Sequence, residues 1–389
     1  MIKEGIILKE GKEKSVLRGH PWIFSGAIAS TPSFADGDIL NVFSSDGKFL
    51  AQAYFHSNNS LAGRILSFSC DPIEKEIEKK IDEAILLRKS FFDPKITNAF
   101  RLINAEGDGL SGLIVDQYAD VLVLQIHTAG MEKLKPFIVD LLLKKLNPSC
   151  IYEKSITSSR GKEGLLDCEQ KIWGEVAEEV EILENGLKFI VSIIDGQKTG
   201  FFLDQREMRQ WVAKHAAGKR ILNCFSYTGG FSVFALKEKA LVDSVDSSAE
   251  ALALAKRNTE LNGCEMNKHR LIHEDAFLFL QKDPLDYDLV ILDPPAFAKK
   301  RSDIESACKG YKQINRLAFE KMPSSSLLLT CSCSYFMDES LFQNIIFQAA
   351  CEAKRNVKIL GRHKQAIDHP ISLYHPEGEY LKSLILYLE

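Results

Sequence analysis

Leu285-Asp286-Tyr287-Asp288-Leu289-Val290-Ile291-Leu292-Asp293-Pro294-Pro295-Ala296-Phe297-Ala298-Lys299 is the stretch on which the reading of this chain turns. Its apolar run has the length of a strand buried on both faces, and it passes into an acid followed by a stiff Pro-Pro turn. About thirty residues on, a second buried run, Leu327 to Thr330, ends in Cys331-Ser332-Cys333-Ser334. Side by side in one sheet, the two strands would deliver a carboxylate and a pair of thiols to a single edge.

Working outward, the segment from about residue 200 alternates strand, turn and helix. Strands are expected at Arg220–Cys224, Leu241–Val245, Arg270–His273, Leu289–Leu292 and Leu327–Thr330. Helices are expected at Gly230–Lys237, Ser248–Asn262, Ala276–Gln281 and near Ile314–Met322. This rhythm predicts an α/β fold with a doubly wound parallel sheet and ligands at the carboxyl ends of its strands.

Between the first strand and its helix lies Asn223-Cys224-Phe225-Ser226-Tyr227-Thr228-Gly229-Gly230. The paired glycines let backbone approach a ligand closely. The turn is neither G-x-G-x-x-G nor followed by a Walker lysine, which disfavours a dinucleotide or a triphosphate. The second strand ends at Asp246-Ser247, where an acid can accept hydrogen bonds from ribose hydroxyls. The third leads to Asp275, placed to meet an adenine amino group. An acid at a strand end is by itself more often a helix N-cap. A glycine turn followed by Asp246, Asp275 and Asp293 at successive strand ends resembles the class I S-adenosylmethionine-dependent methyltransferases, with their Rossmann-like sheet.

The cysteines choose among methylation chemistries. An Asp-Pro-Pro-aromatic turn accepts hydrogen bonds from an exocyclic amine in amino-group methylases, and in cytosine C5 methylases an acid here holds the ring. Carbon 5 of a pyrimidine is too weak a nucleophile to attack a methyl sulfonium unaided. A thiolate added at C6 makes C5 enamine-like, and that requires an accessible thiol near the base. Cys331 and Cys333, two apart on an extended segment, are expected to face the same side. Three readings stay open on these residues: cytosine C5 methylation, amino-group or guanine methylation with the cysteines merely packed, and a non-catalytic RNA-binding factor.

Upstream, residues 1–70 read as a small β-rich module, with strands at Gly5–Leu8, Ile39–Phe43, Leu50–Tyr54 and Ala62–Leu66. Its Lys12–Phe24 segment sets Arg18 and His20 beside Trp22 and Phe24, suited to phosphate contact and base stacking; the competing reading is an aromatic core with solvated charges. Residues 71–190 read as an α+β middle domain, and 191–389 as the methyltransferase domain. A chain of 389 residues requires two or three domains. With 45% hydrophobic and 26% charged residues it has the balance of a soluble globular protein. No apolar run is long enough for a bilayer, and Met1–Glu10 lacks a signal's apolar region, so a cytoplasmic protein is expected. The net charge of −4 argues against coating a polyanion but permits a local basic face. Nine scattered cysteines without C-x-x-C spacing suit a reducing compartment and predict no metal site.

The whole chain is similar to the bacterial 23S ribosomal RNA large subunit methyltransferase I family. The likeness runs through Arg18-x-His20-Pro21-Trp22-Ile23-Phe24-Ser25 in a PUA-type module, Glu106–Leu110 with Gly112–Asp116, and Gly196–Arg206. It continues through Asp293–Phe297, Thr330–Ser334 and Glu377-Gly378-Glu379-Tyr380-Leu381-Lys382. The resemblance implies 5-methylcytosine formation in ribosomal RNA or a large-subunit particle, with S-adenosylmethionine as cofactor, no membrane partner, and a homodimer. By motif position it implies Cys333 as nucleophile in preference to Cys331, with Asp293 holding the cytosine. It implies a cofactor site of Phe202, Asp204, Asn223, Phe225, Tyr227, Thr228, Gly229, Asp246, Ser247, Asp275 and Asp293. Arg18, His20, Trp22, Lys198 and Arg206 become candidates for RNA contact, with the cofactor or plain solvent as the alternative partner of Lys198 and Arg206. Three departures stand out: Ala296 where other RNA cytosine methylases carry a second, release-assisting cysteine, Ser111 where relatives have proline, and Lys154 where arginine is usual.

Overall fold

The computed structural model describes residues 5–389 except 176, 283 and 299. Lys299, which ends the stretch quoted first, and the first four residues of the N-terminal decade therefore lie outside the described residues. The chain forms two compact units. One comprises the chain up to Leu183 with Val191–Leu203 and Ile367–Gly378; the other comprises Glu184–Ile190, Asp204–Ala366 and Glu379–Glu389.

The first unit contains two sheets. A six-stranded sheet is built from segments within Ile6–Ser67, and its core is Ile6, Leu8, Val42, Ala51, Ala53, Phe55 and Ile65. The strands expected at its start are found, joined by two short ones, Trp22–Phe24 and Ile28–Ser30. A five-stranded sheet runs from Ala99–Asn104 to Cys168–Gly174. Against it pack the helices Ile73–Phe91 and Ala129–Leu146, which bury Ile77, Ile81, Ile138 and Leu142. Isoleucines four apart on the first helix form the stripe that sets its docked face.

The second unit is the α/β sheet. Its strands are β1 (Arg220–Cys224), β2 (Leu241–Asp246), β3 (His269–His273), β4 (Leu289–Leu292), β5 (Ser326–Ser332), β6 (Val357–His363) and β7 (Lys382–Leu388). They lie in the order β3-β2-β1-β4-β5-β7-β6. The first five are mutually parallel, as expected, but β7 is inserted antiparallel between β5 and β6. The doubly wound parallel sheet is thus found over the five expected strands, and the antiparallel β7 is an addition to it. Alternate residues of β4 face opposite layers, because strand side chains alternate. Leu289 and Ile291 join Met208, Val212, Phe231 and Ala235 on one face, while Val290 and Leu292 join Ile314, Ala318, Phe342 and Ile345 on the other. No helix among the described residues is long and apolar enough to cross a membrane.

Candidate active site and cofactor turn

β4 and β5 are neighbours in register, Leu292 opposite Thr330, so the residues after each emerge together at the carboxyl edge. Asp293 follows β4, and its Oδ1 accepts a 3.0 Å hydrogen bond from Gln205 Nε2, which fixes the carboxylate's orientation. The strand β5 stops at Ser332, so the alternation that would put both thiols on one side ends before Cys333. Their surroundings differ accordingly. Cys331 is 0% exposed among Leu329, Ile385 and Ile291, and burial pushes its thiol well above the ordinary range, with the Asp293 charge adding to the effect. Cys333 is half-buried, and its Sγ lies 3.9 Å from the Pro294 carbonyl oxygen of the Asp-Pro-Pro turn. One thiol is packed into the core; the other sits against the turn that carries the acid.

Ser334 ties this corner together. Its Oγ accepts from the Ala298 N–H at 3.2 Å and shares a 3.0 Å hydrogen bond with the Tyr311 hydroxyl, while its carbonyl accepts from Lys382 Nζ at 2.7 Å. Burial raises the Tyr311 phenol to about 12, which keeps it protonated. Beyond Ser334, Tyr335 and Phe336 form an exposed edge-to-face pair.

The turn after β1 is shaped by left-handed backbone. Phe225, Tyr227 and Gly229 have φ of 58°, 47° and 79°, and a Cβ on Gly229 would sit 3.0 Å from that of Ala255. Asp246 at the end of β2 holds this turn, since Oδ2 accepts from the Tyr227 N–H at 2.8 Å and Oδ1 from the Ser248 N–H at 2.9 Å. Each oxygen keeps a lone pair for a ribose hydroxyl. Ser247 next to it is exposed and gives its carbonyl to His273. Asn223 Oδ1, Ser226 Oγ and Thr228 Oγ1 are buried here without a hydrogen-bond partner among the described residues. Buried polar atoms left open are costly, and a polar nucleoside ligand along the turn would satisfy them, so these residues fit S-adenosylmethionine. Asp275 is exposed and caps the helix Ala276–Phe279 through the Leu278 N–H at 3.1 Å, the ordinary use of an acid at such a place. Asp204 is buried and takes a 2.6 Å hydrogen bond from the Tyr380 hydroxyl.

The remaining candidates fall elsewhere. Phe202 and the exposed Lys198 belong to the first unit, where the Lys198 ammonium lies 4.6 Å from the Phe202 ring. Arg206 is 2% exposed and pairs with Glu184 at 3.4 Å beside the bidentate Arg209–Glu184 pair. That burial corrects its reading as an RNA contact; it is a structural ion pair. Trp22 is half-buried and donates through Nε1 to Glu106 at 2.9 Å, and its backbone N–H donates to His20 Nδ1 at 3.1 Å. Both rings are thus engaged within their unit, whereas Arg18 and Phe24 are exposed. Ser111, the departure from proline, donates to the same Glu106 oxygen at 2.5 Å. Lys154, the departure from arginine, donates to the Ile193 and Gly196 carbonyls at 2.9 and 2.7 Å.

Sequence reasoning missed Gln205, Tyr311 and the role of Lys382. Gln205 and Lys382 lie inside quoted motifs, so position could have flagged them; nothing local marks Tyr311.

Comparisons with known proteins accord with this geometry. A family model described as an S-adenosylmethionine-dependent methyltransferase matches residues 163–362, and a PUA-like domain model matches 6–68. The protein named ribosomal RNA large subunit methyltransferase I from Aeromonas salmonicida (strain A449) is 43% identical over 98% of both chains. The protein of the same name from Vibrio vulnificus (strain CMCP6) is 43% identical over 97% of both. Among solved structures, SMU.776, described as a methyltransferase and complexed with SAH, superposes with a TM-score of 0.85 at 27% identity, covering 99% of this chain and 100% of that one. The glycine turn, the acid that ends β2 and the Asp-Pro-Pro edge thus sit on a chain that, over nearly its whole length, belongs to the ribosomal RNA large subunit methyltransferase I family of S-adenosylmethionine-dependent methyltransferases.

Proposed function

We propose that this chain methylates C5 of a cytosine in large-subunit (23S) ribosomal RNA through a covalent adduct of Cys333. The observation that carries the reading is the 3.9 Å approach of Cys333 Sγ to the Pro294 carbonyl, which sets the thiol against the turn that bears Asp293. S-adenosylmethionine supplies an electrophilic methyl group when bound along residues 223–229 and Asp246. Asp293, oriented by Gln205, accepts from the cytosine exocyclic amine. The Cys333 thiolate adds to C6, forming a C–S bond and moving the C5–C6 electron pair onto C5. C5 then takes the methyl group, and the sulfonium's S–CH3 electron pair stays on the departing thioether. The C5 proton leaves to solvent water, and its bonding pair restores the C5–C6 double bond as the C6–S bond breaks and frees the thiolate. Ala296, at the position of a release-assisting cysteine in other RNA cytosine methylases, makes this a one-cysteine cycle.

Large-subunit RNA as substrate is supported by the relatives' names and by the PUA-like match over 6–68. We assign residues 1–70 to RNA docking, with Arg18 as an exposed cation, 71–190 to a linking domain and 191–389 to methylation, with Lys198 as an exposed cation of that segment. An unpaired or flipped-out cytosine is required, because a stacked base hides C6 from a thiol.

The test is Cys333→Ser. It should lose methylation while binding S-adenosylmethionine as the wild type does in calorimetry, and the wild type should form a stable protein–RNA adduct with 5-fluorocytosine-containing RNA. Undiminished turnover by Cys333→Ser would exclude the mechanism. Mapping 5-methylcytosine in ribosomal RNA from cells with and without the gene checks the substrate.

A further inference from the structure

Lys382 opens β7, ends the Glu377–Lys382 motif, and is 4% exposed. Its Nζ donates to two carbonyls, Ser334 O and Tyr380 O, both at 2.7 Å. No described carboxylate lies within ion-pairing distance of it, although several other buried cations of this chain have one, including Arg88, Arg160 and Arg209. An ammonium without a counter-ion is expensive to bury. A chain that needed only the two carbonyl hydrogen bonds could make them with a neutral donor.

The neighbour that can supply negative charge is the thiol one residue from Ser334. Lys382 fixes the carbonyl of the residue after Cys333, and Cys333 is the group acting most strongly to favour its charged form. Glu379 and Asp338 act in the same direction more weakly. Tyr311, the other titratable group on Ser334, stays neutral to about 12. Burial draws the ammonium down to about 8, so it remains charged at neutral pH.

We infer that Lys382 is the positioning residue that holds Cys333 as a thiolate, a buried ammonium whose counter-ion is the nucleophile itself. For its catalytic meaning this rests on the assignment of Cys333 as nucleophile. The ion pair would supply what the cytosine reaction needs before RNA arrives, an attacking sulfur already ionised at neutral pH.

The experiment is peptide-resolved alkylation of Cys333 by iodoacetamide across pH, in the full-length wild type, Lys382→Met and Lys382→Arg. Wild-type Cys333 should alkylate with a midpoint below the ~8.5 of a free thiol. Lys382→Met should move the midpoint upward and leave ~10-fold less thiolate at neutral pH, with the pH profile of methylation moving alike. Lys382→Arg should keep the midpoint low. A wild-type midpoint at or above that of a free thiol overturns the inference, and that measurement decides even if Lys382→Met fails to fold. Coincident profiles for wild type and Lys382→Met overturn it equally. The two readings fail separately: an active Cys333→Ser removes the nucleophile assignment while a low thiol midpoint keeps the ion pair, and an inactive Cys333→Ser with an ordinary midpoint removes only the ion pair.

Discussion

Two cysteines separated by one serine meet opposite physical conditions, because β5 ends between them. Cys331 is packed as a small apolar group and its thiolate is disfavoured by burial. Cys331→Ala should therefore leave methyl transfer near the wild-type rate and cost about 1 kcal/mol of stability in urea denaturation; loss of turnover with the fold intact would mean that the deeper thiol takes part in the chemistry. Asp246 is used twice over, bonding the Tyr227 and Ser248 N–H groups while facing the proposed ribose position. Asp246→Ala should weaken S-adenosylmethionine binding ~10-fold or more by calorimetry, since charge-assisted hydrogen bonds are worth ~1.5–3 kcal/mol each. Residue type and spacing singled out Asp246, Asp293 and the Cys331/Cys333 pair as candidates, and only the family resemblance preferred Cys333. They could not reveal that Asp275 spends its carboxylate on a helix cap or that Arg206 is buried, because an isolated charge in a sequence does not show its partner.

At the scale of elements, what was legible is what alternation and turn chemistry dictate. Five strands from β1 to β5 follow from apolar runs that end in glycine, acid or cysteine. The antiparallel β7 between β5 and β6 did not follow, since pairing order is a tertiary property without a local signal. The helix Arg206–Ala216 was hidden for a different reason. Its buried face includes Arg206 and Arg209 alongside Met208 and Val212, so the apolar stripe that marks a docked helix is interrupted by charges. Glu184 makes that burial tolerable by pairing with both arginines. Glu184→Ala should cost ~3–5 kcal/mol, the typical result of breaking a buried pair by removing one partner, seen as a large drop in denaturation midpoint; a change below ~1 kcal/mol would show the pair to be dispensable. The proposed cofactor turn is an element of the opposite kind, where backbone and not charge decides. Gly229→Ala places a Cβ in left-handed backbone at φ 79° and 3.0 Å from the Ala255 methyl. About 1–2 kcal/mol of strain and a weaker cofactor affinity are expected together, because the same turn carries both.

At the scale of the molecule, each unit contains a histidine that folding keeps neutral, His269 buried in the second and His127 half-buried in the first. In the second unit, His269 Nδ1 faces Thr259 Oγ1 at 2.9 Å, and that hydroxyl already donates to the Ala255 carbonyl, so the ring must be the donor there. Asn223 Nδ2 donates to Ser232, Ser232 then donates to Ser244, and Ser244 to His269 Nε2 at 2.7 Å. Protonating Nε2 would turn an acceptor into a second donor and oppose a chain of hydrogen bonds that begins at Asn223 on the cofactor turn. Burial adds to this and brings His269 down to about 4. In the first unit, desolvation likewise brings His127 to about 4, and its Nε2 has no hydrogen-bond partner among the described residues. Both folded values lie below the 6.5 of an unperturbed histidine, so in the interval between them the unfolded chain binds protons that the folded chain refuses. Stability is then fully present above about pH 6.5 and is lost as pH falls towards about 4, by up to ~1.4 kcal/mol per pH unit for each histidine. Urea midpoints measured from neutral pH down to about pH 5 should fall in the wild type. His127→Leu, which removes one of the groups acting in this direction, should reduce the slope; an unchanged slope would mean that His127 takes up its proton without resisting it.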